Sequence, residues 1–450
     1  MSKGYFIKNA TIFNEGKRFV GCLKITANCI DDVYEGEVKK DEVLKNYTVI
    51  DATGKWLIPG LIDDQVHFRE PGLSHKGDLY TEPKAAVAGG ITSFMEMPNT
   101  VPSAITQPLL ADKYVIAAEK SLANYSFYIG TTNTNLDQLL RTDPKTVCGV
   151  KIFLGSSTGD MLVDDKDALN NIFREVKLLI AVHCEDDPMI KVRADEFRKQ
   201  YGENIPMHYH AAIRNDEACY KSSSEAIERA TKYDTRLHIL HISTAKEISL
   251  FRNDIPSKNK RITAEACVHH LWFSEEDYAN KGAFIKWNPS IKSMKDRDAV
   301  RQALIDNYID VLATDHAPHT LLEKKNKYFS CPSGGPLVQH ALIALIEMCK
   351  SGIFTVELVV EKYAHAVADM FQIKNRGYLR KGYYADMVLI NPNAPQLTQN
   401  SNVLYKCEWT PFDGTLFSST VEKTFVNGHL AYDNGIFDET QKGERLQFER

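Results

Sequence analysis

The chain reads Asp63-Asp64-Gln65-Val66-His67-Phe68-Arg69-Glu70-Pro71-Gly72 directly after an apolar run that begins at Trp56. Side chains alternate between the two faces of a β-strand, so a strand here would place Asp63, Gln65 and His67 on one face, with Arg69 just past its end. A carboxylate, an amide, an imidazole and a guanidinium are unfavourable in a hydrophobic core unless they are paired. The stretch therefore predicts either a strand end that carries a polar site or an exposed polar loop, and the rest of the chain favours the site.

The composition is that of a soluble enzyme. The chain has 450 residues, of which 43% are hydrophobic and 25% charged, enough for one large domain and a smaller one. A net charge of -5 without a basic block argues against a nucleic-acid partner, and no apolar run is long enough to span a membrane. The start lacks the apolar core of a signal peptide, and nine scattered cysteines fit free thiols. We therefore expect a cytoplasmic protein that acts on a small molecule.

The middle of the chain alternates short β-rich runs with helical patterns. The helical spacing is clearest at residues 103–122, 166–177 and 222–232. This alternation predicts parallel strands joined by crossover helices, and about eight such units make a (β/α)8 TIM-type barrel of the α/β class. The predicted strands lie at 58–62, 91–97, 125–129, 148–154, 178–182, 237–242, 261–267 and 309–313.

Both ends of the chain read differently from the middle. Residues 1–56 and 376–450 carry short strands and turns, including a hairpin around Asn427-Gly428, which is a preferred two-residue turn. We therefore predict that the termini together form a small β-sandwich domain, beside a barrel that spans residues 57–375.

Polar residues recur where the predicted barrel strands end. His183, His241 and Asp315 each close an apolar strand, and Lys151 lies inside another. A single histidine of this kind is usually a hydrogen-bonded structural residue, and a buried lysine is unfavourable unless its charge is paired or removed. Together with His67 they form a set of imidazole and carboxylate ligands, which predicts a centre for zinc or a similar ion.

These residues resemble those of a known family, the dihydroorotases of the amidohydrolase superfamily. The resemblance covers nearly the whole chain and is most specific in two motifs, His67-Phe68-Arg69-Glu70-Pro71-Gly72 and Asp315-His316-Ala317-Pro318-His319. Further matches are Pro59-Gly60-Leu61-Ile62-Asp63, Met97-Pro98-Asn99-Thr100, His183-Cys184-Glu185-Asp186 and His241-Ile242-Ser243.

The resemblance implies roles for individual residues. Asp315 would be the general base and, with His67, a ligand of the more buried metal, while His183 and His241 would hold a second. Lys151 would be carbamylated and bridge the two ions, so we expect one or two zinc ions per subunit, with two favoured. The implied substrate-binding groups are Arg69, Asn99, Asn288, His319 and the backbone amide of Gly334.

One position departs from the family. Gln65 stands where the first histidine of a His-x-His pair is usual, and an amide oxygen is a weaker ligand than imidazole. The buried metal is therefore expected to be loosely held or absent. Many bacterial members also carry a carboxylate after the strand of Lys151. Residues 155–159 lack one, which favours Lys151 as the bridge over Asp160 and leaves the loop as either a lid or an ordinary turn.

The resemblance implies reversible ring opening of dihydroorotate to N-carbamoyl-L-aspartate in pyrimidine biosynthesis. Arg69 favours this substrate, because a guanidinium matches a carboxylate. The alternatives are an allantoinase or dihydropyrimidinase, and an inactive partner subunit of an aspartate carbamoyltransferase, which Gln65 favours and the retained ligand set opposes. A homodimer is implied by the resemblance alone. We expect residues 322–327 to form a solvated surface loop, and the role of Glu265 stays open.

Overall fold

A computed structural model describes residues 4–36, 46–155 and 161–450. The N-terminal part forms antiparallel strands and two short parallel additions. They are β1 (Gly4–Asn14), β2 (Lys17–Thr26), β3 (Cys29–Glu35), β4 (Thr48–Asp51) and β5 (Trp56–Pro59). Both β4 and β5 pair with β1 in parallel. The last strand of this region, β5, therefore runs in the same direction as the first.

In the described residues, eight strands then follow in a single parallel sheet, each paired with its neighbour in the sequence. The last strand returns to the first through a parallel bridge between Val66 and His316, which confirms the predicted TIM-type barrel. The strands are β6 (Leu61–Val66), β7 (Ile91–Glu96), β8 (Asn124–Gly130), β9 (Gly149–Phe153), β10 (Ile180–His183), β11 (Leu237–Ile239), β12 (Ile262–Cys267) and β13 (Val311–Ala313).

Helices connect the strands and cover the barrel. The three predicted helical stretches are confirmed by the second, fourth and seventh helices. The helices are α1 (Thr81–Ala88), α2 (Gln107–Lys120), α3 (Leu136–Leu140), α4 (Lys166–Glu175), α5 (Asp187–Tyr201), α6 (His210–Ile213), α7 (Asp216–Tyr233), α8 (Val268–Trp272), α9 (Tyr278–Lys281), α10 (Met294–Ile305), α11 (Leu321–Lys324), α12 (Ala341–Lys350), α13 (Val356–Val360) and α14 (Ala366–Phe371). No helix in the described ranges is both long and apolar enough to cross a bilayer.

The C-terminal strands are β14 (Met387–Asn391), β15 (Gln396–Leu397), β16 (Leu416–Phe417), β17 (Thr420–Val426), β18 (His429–Asp433) and β19 (Ile436–Phe437). Four of these six strands complete the first sheet, and β15 and β16 pair only with each other in the described residues. Strand β14 pairs with β5, so that the part of the chain described here joins both termini in one nine-stranded sheet, as predicted. Asn427 and Gly428 have φ angles of 52° and 75°, the left-handed conformations that a type I′ hairpin turn requires.

The run at 58–62, predicted as one strand, is divided between the two sheets at Gly60. The amide of Gly60 donates to the Asp386 carbonyl, and a Cβ at this position would lie 2.2 Å from Thr92 Oγ1. Only glycine therefore fits where the chain passes from β5 to β6. The division into residues 1–56, 57–375 and 376–450 stays a prediction.

The inside of the barrel is filled rather than open. Met95, Tyr128, Ala181 and Val311 belong to one buried cluster, and the Phe371 ring of α14 packs against Tyr128 at 6.4 Å between centroids. Space for a small molecule is left beyond the carboxyl ends of the strands, where barrel enzymes place their chemistry.

Candidate active site

A cavity of about 250 Å³ lies at the carboxyl ends of the barrel strands. Aromatic and small residues complete its lining, among them Phe153, Trp287 and Ser333. The structure brings all the predicted site residues to this cavity, although their roles stay predictions. They are Gln65, His67, Arg69, Asn99, Lys151, His183, His241, Asn288, Asp315, His319 and Gly334.

Two imidazoles face each other across the bottom of the cavity. His183 Nδ1 lies 3.0 Å from His241 Nε2, and burial lowers the pKa of both side chains, so both rings are neutral. Two nitrogens bound to one tetrahedral zinc at 2.0–2.1 Å would lie about 3.3 Å apart. His183 Nε2 lies 3.0 Å from Glu185 Oε2, a carboxylate contact that orients many metal-binding histidines. The pair therefore fits a shared zinc ion.

Lys151 lies beside this pair, and its Nζ is 4.5 Å from the centre of the Phe153 ring. Its side chain is buried, and its amine has no hydrogen-bond partner in the described residues. Burial lowers the pKa of Lys151 to about 7, so a large share of the amine is neutral near neutral pH. A neutral amine is the form that can react with carbon dioxide, and the resulting carbamate would supply oxygen ligands for the ions.

The opposite half of the cavity floor contains Gln65, His67 and Asp315. Gln65 Nε2 and His67 Nε2 each lie 3.2 Å from Asp315 Oδ1, and His67 Nδ1 lies 2.7 Å from Asn99 Oδ1. The Gln65 oxygen instead accepts a weak hydrogen bond from Cys267 Sγ at 3.8 Å. Burial raises the pKa of Asp315 to about 7, while the charges of neighbouring cationic groups oppose the rise. Gln65 thus donates a hydrogen bond to Asp315 here, with its oxygen turned away.

Three of the predicted site residues have strained backbones. Arg69, His241 and Asp315 have φ angles of 74°, 41° and 47°, in the left-handed region that side chains disfavour. Buried carboxylates hold two of them. Glu96 accepts from the amide of Arg69 at 3.1 Å, and Glu265 accepts from the amide of His241 at 2.9 Å. Glu265, whose role the sequence left open, therefore positions the backbone of a predicted ligand.

The Arg69 guanidinium is buried at the side of the cavity. It donates to the Pro318 carbonyl at 3.1 Å, and its Nη2 lies 3.1 Å from His319 Nε2. No carboxylate of the described residues forms an ion pair with it. Burial lowers the pKa of Arg69 to about 10, against the opposing charges of Asp315 and Glu96, so the side chain is still cationic. A buried guanidinium without a carboxylate partner is suited to an anionic guest.

The segment at 331–334 forms the wall of the cavity beside His319. The Gly334 amide already donates to the Lys286 carbonyl at 2.8 Å, so it would have to be released before it could bind a substrate. Lys286 Nζ donates to the carbonyls of Tyr328 and Cys331 at 2.6 and 2.5 Å. The buried Lys286 side chain thus holds the wall at Cys331, its first residue.

Lys324 ties the wall at its other end, and the prediction of a solvated stretch was wrong at this residue, although Leu322 and residues 325–327 are exposed as expected. Residues 322–327 were expected to form a solvated loop, but Lys324 is only 2% exposed and donates to the carbonyls of Pro332 and Gly334 at 3.0 and 2.9 Å. A capping box between Thr320 and Glu323 starts the one-turn helix α11 and turns Lys324 inward. The Thr-x-x-Glu spacing was the available signal.

A second buried polar cluster lies inside the barrel and was not predicted. His238 Nε2 lies 3.2 Å from Asp64 Oδ2 and 3.7 Å from Glu265 Oε2. Burial lowers the pKa of His238, but the neighbouring carboxylates of Asp64 and Glu265 raise it overall to about 9, so the ring is an imidazolium. The three ligand atoms are also close enough to hold a cation.

Asp63 does not share the cavity with Gln65 and His67, although strand alternation predicted one face for all three. Its carboxylate accepts hydrogen bonds from Thr314 Oγ1 and Tyr363 Oη at 2.7 and 2.9 Å. The pairing register shifts between Asp63 and Val66, which interrupts the alternation. The suggested lid at 155–159, apart from Gly155, and Asp160 lie outside the described residues.

Comparisons with known proteins agree with this geometry. Residues 56–431 match the family model described as "Amidohydrolase family". The chain is 33% identical over 388 residues to a dihydroorotase of Halobacterium salinarum, covering 85% of this chain and 88% of that protein. It is 28% identical over 393 residues to an allantoinase of Bacillus velezensis, covering 86% of each. Its fold is similar to that of an L-hydantoinase (dihydropyrimidinase) from Arthrobacter aurescens, with a TM-score of 0.90, 21% identity and 97% of each chain covered.

Proposed function

The chain belongs to the amidohydrolase family and is a cyclic amide hydrolase, and from this we propose that it interconverts dihydroorotate and N-carbamoyl-L-aspartate in pyrimidine biosynthesis. The observation that carries this proposal is the buried Arg69 guanidinium, which lines the cavity without a carboxylate partner among the described residues. Dihydroorotate bears a ring carboxylate that such a group would bind. The dihydroorotase relative supports the same substrate.

The donor set of the cavity floor fits a metal centre. His183, His241 and the carbamate of Lys151 would hold one zinc ion, and His67, Asp315 and the carbamate a second, weaker one. The support is the 3.0 Å approach of two neutral imidazoles and a buried, unpartnered amine. Zinc in such a site polarises a carbonyl group and acidifies a water molecule.

The remaining chemistry belongs to the chain itself. Asp315 takes a proton from the attacking water and passes it to the ring nitrogen as the carbon–nitrogen bond of the cyclic amide breaks. Burial raises the pKa of Asp315, which favours acceptance of a proton by its carboxylate, and a bound zinc ion would oppose that rise. In the direction of ring closure, protonated Asp315 assists the loss of water.

Side chains around the cavity orient the ring for this proton transfer. Arg69 and His319 bind the ring carboxylate, and Asn99 completes this subsite while it holds His67 at 2.7 Å. Asn288 Oδ1 is buried without a hydrogen-bond partner in the described residues, and it accepts a ring N–H. These contacts bring the scissile amide above the metal ligands, which is the positioning that ring opening needs.

Two other functions have some support. The allantoinase relative and the hydantoinase-like fold favour a ring without a carboxylate, which Arg69 opposes. The hydrogen bond from Gln65 to Asp315 favours a metal-poor, inactive subunit that binds an aspartate carbamoyltransferase. Stoichiometric zinc and turnover of dihydroorotate by the purified protein would exclude that subunit role.

The test compares two substrates that differ only in the carboxylate, dihydroorotate and dihydrouracil, on zinc-loaded protein. We expect Arg69→Met to lower kcat/KM for dihydroorotate about 100-fold or more, because a buried charge pair is lost, and to change that for dihydrouracil only a few-fold. Arg301→Met is the matched control, since Arg301 donates to the Leu271 carbonyl and does not line the cavity. Equal losses on both substrates would contradict the proposal.

The setting of the protein is also part of the proposal. All nine cysteines are free in the structure, which supports a reducing cytoplasm. A homodimer is proposed from the family resemblance, and light scattering of the purified protein would test it.

A further inference from the structure

His319 contacts four other residues of the protein. Its Nδ1 lies 3.2 Å from Lys76 Nζ, and its Nε2 lies 3.0 Å from the Ser333 carbonyl and 3.1 Å from Arg69 Nη2. Its own carbonyl accepts from Trp409 Nε1 at 2.7 Å, which fixes the backbone. The ring is therefore held between two cations and one carbonyl oxygen.

The hydrogen-bonding capacity of these partners determines which nitrogen of His319 carries the proton. Burial and the charges of Arg69, Lys76 and Lys324 hold the pKa of His319 well below its usual range, so the ring is neutral and has one N–H. Lys76 and Arg69 can both only donate, and they meet opposite nitrogens of the ring, Nδ1 and Nε2. With the proton on Nε2, the Lys76 and Ser333 contacts are both hydrogen bonds, whereas with the proton on Nδ1 only the Arg69 contact is one. The form with more hydrogen bonds therefore carries the proton on Nε2 and donates it to the Ser333 carbonyl.

Lys76 is itself held in place. Its ammonium forms an ion pair with Glu323 at 2.7 Å, and Glu323 accepts from the Thr320 amide at 2.9 Å. The Glu323 carboxylate lies 4.0 Å from His319 Nδ1, which is too far for a hydrogen bond. Without Lys76, this carboxylate would become the nearest partner of Nδ1 and would favour a proton there.

We propose that Lys76 is a positioning residue that selects the Nε2–H form of His319 and so keeps both His319 and Arg69 as donors for the substrate carboxylate. This inference rests on the proposed function for its kinetic part. In the Nε2–H form no hydrogen bond joins Arg69 Nη2 to His319 Nε2, which lie 3.1 Å apart, so one carboxylate oxygen can accept from Arg69 and share the Nε2–H with the Ser333 carbonyl.

The opposite form of His319 would weaken substrate binding for a definite reason. With the proton on Nδ1, the Nε2 lone pair would accept a hydrogen bond from Arg69 Nη2. The guanidinium would then be partly occupied by the protein, and the substrate carboxylate would have to displace that bond. Lys76 touches no substrate in this account, and its effect is exerted through His319 alone.

The first test observes the proton directly. Zinc-loaded protein with ¹⁵N-labelled histidine is studied by long-range ¹H–¹⁵N correlation, and a His319→Gln spectrum identifies the His319 signals. We expect a bare Nδ1 and a protonated Nε2 in the wild type and in Lys76→Arg, which keeps a donor. Lys76→Met should shift the proton towards Nδ1. An unchanged His319 pattern in Lys76→Met would overturn the proposal.

The second test separates this role from a simple ion pair. Glu323→Gln removes the charge partner but leaves Lys76, so it should keep the Nε2–H form. A shift as large as that of Lys76→Met would overturn the proposal. For dihydroorotate, Lys76→Met should raise KM about tenfold with kcat within about twofold, and Lys84→Met, which loses an ion pair with Glu439 elsewhere, should change neither.

The two tests keep the inference and the proposed function apart. If the protein does not open dihydroorotate, the wild type itself gives no rate and the proposed function fails. The ¹⁵N pattern would still decide the form of His319. If the wild type turns over dihydroorotate and Lys76→Met has an unchanged KM, the proposed function stands and the inference fails.

Discussion

The floor of the cavity and its wall differ in whether their buried polar atoms have hydrogen-bond partners. On the floor, formed by Gln65, His67, Lys151, His183, His241 and Asp315, the Lys151 amine and His241 Nδ1 have no hydrogen-bond partner in the described residues. At the wall, residues 331–334, the buried lysines Lys286 and Lys324 donate to three backbone carbonyls, those of Cys331, Pro332 and Gly334. The floor leaves polar groups unsatisfied, and the wall satisfies them.

This difference indicates what each region is built to do. A buried polar group without a partner costs about 1–3 kcal/mol, so the floor destabilises the empty protein and gains when a guest supplies the missing bonds. The carbonyls of Cys331, Pro332 and Gly334 in the wall already have hydrogen-bond donors from the protein. Its tethers keep the Ser333 carbonyl opposite His319, so the proposed substrate-binding side chains are held in place before a substrate arrives.

The largest effect is expected from the floor. His241→Ala removes a proposed metal ligand, and we expect kcat to fall about 1,000-fold or more and zinc content to fall with it. Because the imidazole lacks a partner on one side in the empty protein, the free energy of unfolding without zinc should fall far less than for an ordinary buried residue. Urea unfolding with and without chelator would measure this. A loss of several kcal/mol in the zinc-free protein would contradict the distinction.

An intermediate effect is expected from the wall. Lys324→Met leaves the carbonyls of Pro332 and Gly334 without their donor and should lower the free energy of unfolding by about 1–3 kcal/mol. Lys325→Met, at the exposed neighbouring position, is the matched control and should be neutral. If both variants unfold alike, the wall is not held in the way described.

The same pair of proteins gives a pH test. Burial lowers the pKa of Lys324 to about 7 in the folded chain, against an ordinary value of 10.5. Between these values the unfolded chain binds more protons, so the stability of the wild type rises with pH, and below about 7 this gain is absent. The stability gap between wild type and Lys324→Met should therefore widen from pH 7 to pH 9, by up to about 1.4 kcal/mol per unit. A constant gap would contradict a depressed pKa.

The smallest effect is expected at Gln65. Gln65→His replaces a donor to Asp315 with a metal ligand, and we expect the second, weaker zinc ion to bind about tenfold more tightly while the first is unchanged. Isothermal titration of the metal-free protein would measure both affinities. If the wild type bound both zinc ions with equal affinity, the half of the floor that contains Gln65 would not be the weaker metal site.

Much of this site could be predicted from sequence because its residues lie at strand ends. His183, His241 and Asp315 close apolar runs, and the alternation of strands and helices places all such ends at one side of a barrel. For these residues, the apolar pattern of the strand and the position at its end were sufficient to predict that they lie together. The two-sheet division at Gly60 could not be predicted, since it depends on the contact with Thr92, far from it in the chain.

The remaining misses have the same origin. Lys324 was expected at the surface because its neighbours are charged, but its burial depends on carbonyls eight and ten residues away. Asp63 was expected beside Gln65, but an irregular register in β6 turned it towards Thr314 and Tyr363. Local sequence does not encode such tertiary contacts, and charged runs and strand alternation are therefore weaker guides than strand ends.

The most direct test of the account is anomalous X-ray diffraction at the zinc edge from crystals of the zinc-loaded protein. We predict a peak about 2.0–2.1 Å from both His183 Nδ1 and His241 Nε2, with a weaker peak beside His67 and Asp315. The absence of a peak between the two imidazoles, or a peak only at the Asp64, His238 and Glu265 cluster inside the barrel, would contradict it.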